Sequence, residues 1–294
     1  RGVPVVQSVR NFRQFCANGL FFRDGHVCED CVGRVPQWPG VVHRCYHSSA
    51  TQSAAVVGMQ TFHSLRKTWK RDVDAYVVPT RFLRDKLAEV GLDGQRIVVK
   101  PDVVVSQARH ATPPRVHALF VGRLTYEKGV DTLLGAWREL PEIPLVVAGG
   151  GPEEHRLRAE VRQSEIEDRV TFLGHTSHAD ALAAIERARF VVVPSLSYET
   201  FGRTAVEAYA SGAPVLASRI GALAETVVEG ETGLLFEPGD PAGLAAGARL
   251  LWARTEGTSE MAAHARARYE SVYAPEIVHE QLVRLYAELT GIPV

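Results

Sequence analysis

From residue 116 onward, short apolar runs alternate with longer amphipathic stretches, and few folds tolerate that pattern. The runs at 116–121, 144–148, 170–173, 190–193 and 215–217 predict strands. Helices are predicted between and after them, at about 127–139, 153–163, 177–187 and 201–211. Repeated strand–helix units of this length close into a parallel, doubly wound α/β sheet. Further helices are expected near 241–254, 258–271 and 275–290.

The first hundred residues read as a shorter α/β half. A strand covers 3–9. Residues 10–50 show no periodicity, and a loop that long needs a function or a tie. Val56, Met59, Phe62, His63, Leu65 and Trp69 recur at helical spacing within 51–70. A strand at 75–78 leads to Thr80, a cap for a helix running to about Val90 and ended by Gly91. A third strand covers 97–99. Pro101 to Pro114 is polar and holds prolines, which marks a boundary. The expected domains are 1–105, 106–275 and a last helix, 276–294, returning to the first half. The chain has 294 residues, enough for two domains, and 46% hydrophobic with 23% charged residues is globular. A net charge of −1 gives no general field for nucleic acid. No apolar run approaches the ~18–20 residues that span a bilayer.

Pro194 to Gly212 carries the densest chemistry. A tight turn follows the apolar strand, and a helix opens at about Phe201. Helix N-termini offer unpaired N–H groups and a positive dipole end, which seat phosphate. Gly202 lets a ligand approach the backbone. Glu199 in the turn and Glu207 in the helix can accept bonds from hydroxyls. Ala205, Val206, Ala208 and Ala210 look buried, so Glu207 among them needs a partner. Arg123 and Lys128 flank another turn at a helix start, where the dipole disfavours cations unless an anion lies between them. The bland alternative is a solvated pair.

These segments resemble retaining glycosyltransferases of family 4, which have the GT-B fold. The resemblance rests on P-S-x-x followed by E-x7-E and E-A-x-A-x-G-x-P-V, on V-G-R-L-x-x-E-K-G at 121–129, on G-G-G-P-E at 149–153, and on E-G-E-T-G-L-L-F-E-P-G-D at 229–240. It implies two Rossmann-type domains and a hexose moved from a UDP- or GDP-sugar to a hydroxyl, with no catalytic metal. By resemblance, Gly122, Arg123 and Lys128 meet the diphosphate, and Phe201, Gly202, Arg203 and Thr204 cap it with backbone amides. Glu207 holds ribose, Glu199 lies near the donor sugar, and Gly149, Gly150, Leu173, Gly174 and His175 approach the rest of the nucleotide. Glu199, Arg123 and Lys128 are the expected catalytic group. The resemblance also implies that roughly 90–100 residues, holding a first strand and a Gly-rich loop, precede Arg1 in a whole domain. The N-terminal domain is therefore expected to be incomplete, or completed by a partner chain.

Residues 5–25 resemble a family segment written T-x-H-N-Y-R-x-x-C. The family His falls on Arg10, beside Asn11 and Arg13, and these three are the acceptor-side candidates. An Arg stays charged and cannot act as a base. A nucleotide-sugar-binding chain without transfer activity, a split transferase and a UDP-sugar epimerase stay open as alternatives.

All four cysteines, Cys16, Cys28, Cys31 and Cys45, lie in the aperiodic segment. The C-x2-C pair can present two thiolates to one ion, and two more would complete a structural zinc site. His43 or His47 are alternative ligands; buried thiols or disulfides are the other readings. Asp72-Val73-Asp74 matches a metal-nucleotide D-x-D signature and is read as chance. His63, Arg66, Lys67, Lys70, Arg71, Arg81, Arg84 and Lys86, with Leu65 and Trp69 among them, suit either a solvated face or a membrane surface carrying a lipid-linked acceptor. Without a signal peptide or spanning run, the expected location is the cytoplasm, peripheral at the inner membrane face.

Overall fold

The computed structural model describes residues 3–105, 114–253 and 260–292. Most of the polar connector at 101–114, and the expected helix limits at 254 and 258, fall outside them. The chain divides into one unit of Arg1–Asp102 with Val278–Val294, and a second of Val103–Ile277.

The first unit opens with β1 (Val6–Ser8) and a short antiparallel pair, β2 (Phe22–Arg23) and β3 (His26–Val27). Then come α1 (Pro39–Val42), α2 (Ala50–Leu65), α3 (Thr68–Arg71), β4 (Ala75–Val78), α4 (Arg81–Glu89) and β5 (Ile97–Val99). The parallel sheet has the order β1-β4-β5. Thr80 caps α4 as expected, its Oγ1 accepting the Leu83 N–H at 3.3 Å, and Gly91 follows the helix with φ +84°. Ala75 and Val77 pack with Leu285 of the last helix, with Val6, Val98 and Leu289 around them.

Helix α2 forms where the spacing predicts it, but much of its apolar side is exposed. Met59, Phe62 and Leu65 are exposed, and the buried face is Ser53, Val57 and Gln60. The cause is what the helix packs on. Gln60 Nε2 donates to the Arg13 carbonyl at 2.6 Å, and Ser53 Oγ accepts from the Tyr46 N–H at 2.9 Å. A loop rich in backbone polar groups is met by polar side chains. The helix also stops at Leu65, because Lys67 turns left-handed before α3.

The second unit runs β6 (His117–Val121), α5 (Val130–Trp137), β7 (Leu145–Ala148), α6 (Glu154–Gln163), β8 (Val170–Gly174), α7 (His178–Glu186), β9 (Ala188–Val193) and α8 (Arg203–Ala210). It continues with β10 (Val215–Ser218), α9 (Leu223–Thr226), β11 (Gly233–Phe236), α10 (Pro241–Ala253) and α11 (Glu260–Arg268); the last helix, α12 (Pro275–Thr290), belongs from Val278 onward to the first unit. Its six strands are all parallel, in the order β11-β10-β9-β6-β7-β8. The five expected strands are present, and the sequence reading missed β11. A core of Phe120, Leu133, Trp137, Val147, Phe190 and Leu216 lies under α5, α6 and α10. Among the described residues no helix is long and apolar enough to cross a membrane.

Candidate functional site

Strand order places the crevice. From β6 the chain winds outward through β7 and β8, then returns to lay β9 on the other flank of β6. Open α/β sheets bind ligands at such a reversal, beyond the carboxyl ends of the strands. The loop after β6 carries Gly122, Arg123 and Lys128. The loop after β9 carries Glu199 and leads into α8.

The two loops are locked together. The Leu196 N–H donates to the Glu127 carbonyl at 2.8 Å, and Thr204 Oγ1 donates to the Val121 carbonyl at 3.5 Å. Gly129 has φ +69°, and a Cβ there would lie 1.9 Å from the Pro194 carbonyl oxygen. Only glycine allows that approach. The result brings Lys128 to Glu199, with Nζ 2.5 Å from Oε1. Ser195 Oγ donates to the same oxygen at 2.8 Å. The Glu199 carbonyl accepts the Ala222 N–H at 2.9 Å, so the acid's backbone is fixed by the loop after β10 as well.

Glu207 is 5% exposed and finds its partners within the protein. Arg203 Nε donates at 2.9 Å and His178 Nε2 stands at 3.0 Å, both at Oε1. Oε2 makes no hydrogen bond among the described residues. Arg123 is exposed and makes no ion pair among them. Helix α8 starts at Arg203, not Phe201, because Gly202 is left-handed at φ +74° and ends the preceding turn. The Phe201 side chain is buried, its ring edge-on to Tyr273, so it contributes to the core. The N–H groups of Gly202, Arg203 and Thr204 take no protein acceptor among the described residues.

Neighbouring strand ends are stitched to this crevice. The Gly149 N–H donates to the Gly174 carbonyl at 2.9 Å, and the Leu124 N–H to the Gly150 carbonyl at 3.0 Å. A Cβ on Gly149 would sit 1.9 Å from the Gly122 carbonyl oxygen. Leu173 and His175 are exposed at the end of β8, two strands from β6. His178 and Ser195 were missed by the sequence reading. No local pattern marks them, because each acts on a carboxylate through the tertiary fold or a turn.

In the first unit, Arg10 Nη2 lies 3.0 Å from Asp102 Oδ1. Asn11 Oδ1 accepts the Arg13 N–H at 3.0 Å. Arg10, Asn11 and Arg13 line a cleft of 540 Å³ together with Gln14, Gln60 and Trp69. Both amide atoms of Gln14, Gln60 Oε1 and Trp69 Nε1 are buried there without a hydrogen-bond partner. Such atoms are costly unless a ligand or water meets them. The four cysteines line one small cavity, and neither His43 nor His47 does. Burial pushes the Cys31 thiol up to about 11. Asp74 of the D-x-D match accepts the Val5 N–H at 2.7 Å, and Asp72 pairs with Arg71, so both carboxylates have structural partners. The basic stretch is partly neutralised: Lys86 meets Glu29 and Glu89, and Arg84 meets Asp85.

The two parallel sheets and the crevice at the strand reversal define the GT-B class of glycosyltransferase folds. The Anabaena protein HepE, in complex with UDP, shares the fold with a TM-score of 0.72 at 18% identity, over 97% of this chain and 72% of that one. Sucrose-phosphate synthase from Thermosynechococcus elongatus matches with a TM-score of 0.69 at 27% identity, over 86% of this chain and 66% of that one. Residues 107–268, more than half of the chain, match the family model "Glycosyl transferases group 1", and the chain belongs to that family. Glycogen synthase of Mycobacterium tuberculosis is 31% identical over 234 residues, 76% of this chain and 56% of that protein. The chain spans about half the length of the curated relatives it matches.

Proposed function

We propose that the second unit binds a UDP- or GDP-sugar and that the protein transfers the hexose to a hydroxyl acceptor with retention of configuration. The observation that carries this reading is the convergence at the β6/β9 reversal of Arg123, Lys128, Glu199, Glu207 and the start of α8. A diphosphate needs positive charge on both phosphates, most of all as it leaves. Arg123 offers an unengaged fork and Lys128 a point charge. Three backbone N–H groups at the start of α8 add the dipole's positive end. The free Oε2 of Glu207 suits a ribose hydroxyl, with Arg203 and His178 holding the acid in place. Because these cations meet the diphosphate charge, turnover is expected without added divalent ions. The UDP held by HepE, which shares the fold, is in keeping with a nucleotide donor.

Retention through a covalent intermediate would need a carboxylate free to attack. The ion pair to Lys128 and the hydrogen bond from Ser195 at Oε1 of Glu199 lower the nucleophilicity of that carboxylate. We therefore favour attack by the acceptor on the face the diphosphate leaves, with the departing phosphate taking the acceptor proton. Lys128, shared between Glu199 and the phosphate, then couples donor binding to the acid's position. The cleft of the first unit, with its unpartnered amides and indole N–H, is the acceptor side in this reading. Exposed Met59, Phe62 and Leu65 beside Arg66 and Lys67 support a lipid-linked acceptor.

The pairing of Arg10 with Asp102 favours a second reading, a chain that binds the donor without transferring it. Incubation with α-linked UDP- and GDP-sugars and a panel of hydroxyl acceptors separates the two. The proposal expects an α-linked product by NMR and unmodified Glu199 in quenched digests. A glycosyl adduct on Glu199 would overturn the same-face route. Donor binding with neither transfer nor hydrolysis would favour the second reading.

A further inference from the structure

Between β1 and α2 the chain has little regular structure: the two-residue strands β2 and β3 and the four-residue α1. Five residues there, Phe21, Asp24, Arg44, His47 and Ser48, have left-handed backbone without being glycine. Segments this irregular hold their shape only when something over-determines it. Every cysteine of the protein lies in this segment, and all four line the same cavity. They arrive from three separate places: Cys16 after β1, Cys28 and Cys31 after the β2–β3 pair, and Cys45 after α1. The cavity volume is 10 Å³, room for about one water-sized sphere.

We infer that Cys16, Cys28, Cys31 and Cys45 form a structural zinc site that staples this segment. Four sulfurs around one atom-sized space suit a soft ion with tetrahedral preference and no redox chemistry. Burial favours the neutral thiols at Cys28, Cys31 and Cys45, and three nearby donors oppose it. The Asp30 backbone N–H faces Cys28, the Gly40 backbone N–H faces Cys31, and Arg23 lines the same cavity. Four zinc–sulfur bonds replace four S–H bonds, and the protons pass to solvent. The anionic cluster that results is balanced by Arg23 and the N–H dipoles. As the side chains stand, no group of three or more His, Cys, Asp or Glu among the described residues is placed to hold a metal ion. Zinc would have to draw the sulfurs together through changes of cysteine χ1.

The staple bears on the acceptor cleft. The stretch that ends in Cys16 carries Arg10, Asn11, Arg13 and Gln14, all on the cleft wall, and Gln60 holds it at the Arg13 carbonyl. Zinc would fix the end of that stretch at Cys16. The inference stands on the cysteines alone and does not depend on the donor site in the second unit.

The test is elemental analysis of the whole chain, purified without added metal and dialysed against a weak chelator. One equivalent of zinc is expected, released stoichiometrically when a mercurial titrates the thiols. Replacing zinc with cobalt should give intense sulfur-to-cobalt charge-transfer bands and tetrahedral d–d bands, which need no variant to fold. Cys31→Ser and Cys45→Ser should each lose the zinc, with nucleotide binding by the second unit retained. Zinc-free protein whose four thiols react freely in the folded state would overturn the inference. So would mapped disulfides among the four, or iron with labile sulfide in place of zinc.

Discussion

Glu199 and Glu207 lie on one turn and helix, yet the fold gives them different neighbours: Lys128 and Ser195 for the first, Arg203 and His178 for the second. The need of Glu207 for a partner was legible from the apolar residues around it. The identity of that partner was not, since His178 stands on α7, 29 residues away. The basic turn at Arg123 and Lys128 was legible from its clash with the helix dipole, whereas the Lys128–Glu199 pair exists only because β6 and β9 are neighbours. A third residue carries a pH dependence. Burial lowers the pKa of His117 from 6.5, helped by nearby Arg187 and opposed by a hydrogen bond to the Ala184 backbone. Its Nε2 is buried without a partner. The fold therefore prefers the neutral ring, and below about pH 6.5 the unfolded chain takes up the proton first. Stability should fall as pH drops from 6.5 toward the lowered folded value. Urea unfolding across pH 7.5 to 5 should show a steeper loss in the wild type than in His117→Gln, by up to about 1.4 kcal/mol per pH unit. Parallel slopes would count against the assignment.

At the scale of elements, the second unit's strands were legible because each is an apolar run bounded by turn residues. Strand β11 was missed because Gly-Leu-Leu-Phe is short and begins with a glycine. That glycine is required: a Cβ on Gly233 would lie 2.0 Å from the Val215 carbonyl oxygen of β10. Helix α2 was legible from its spacing, but Met59, Phe62 and Leu65, which carry that spacing, stand on an exposed face. Loops position the site more than helices do, and the glycines show it. Gly129→Ala should cost about 3 kcal/mol or more and lower the melting temperature by at least about 5 °C, since both φ and the Pro194 carbonyl oppose a side chain. Gly230→Ala, with φ +79° but open space around it, should cost only about 1 kcal/mol. Equal melting temperatures for the two variants would show that the β6 and β9 loops are not locked as described.

For the whole molecule, family membership and fold rest chiefly on the second unit, where the sequence pattern is regular and the apolar core continuous. The first unit was less legible. Its sheet has three short strands, and its cleft is lined by Gln14, Gln60 and Trp69, residues with no distinguishing pattern in the sequence. The central claim is that the β6/β9 crevice binds a nucleoside diphosphate. Isothermal titration calorimetry of UDP, GDP and ADP against the whole chain, without added divalent metal, tests it most directly. Selective binding of UDP or GDP is expected, weakened at least about tenfold, or about 1.4 kcal/mol, in both Arg123→Ala and Glu207→Ala. Melting temperature should change little in Arg123→Ala, whose side chain is exposed. Binding that survives both substitutions unchanged would rule out this crevice as the nucleotide site, and so would a wild-type chain that binds none of the three.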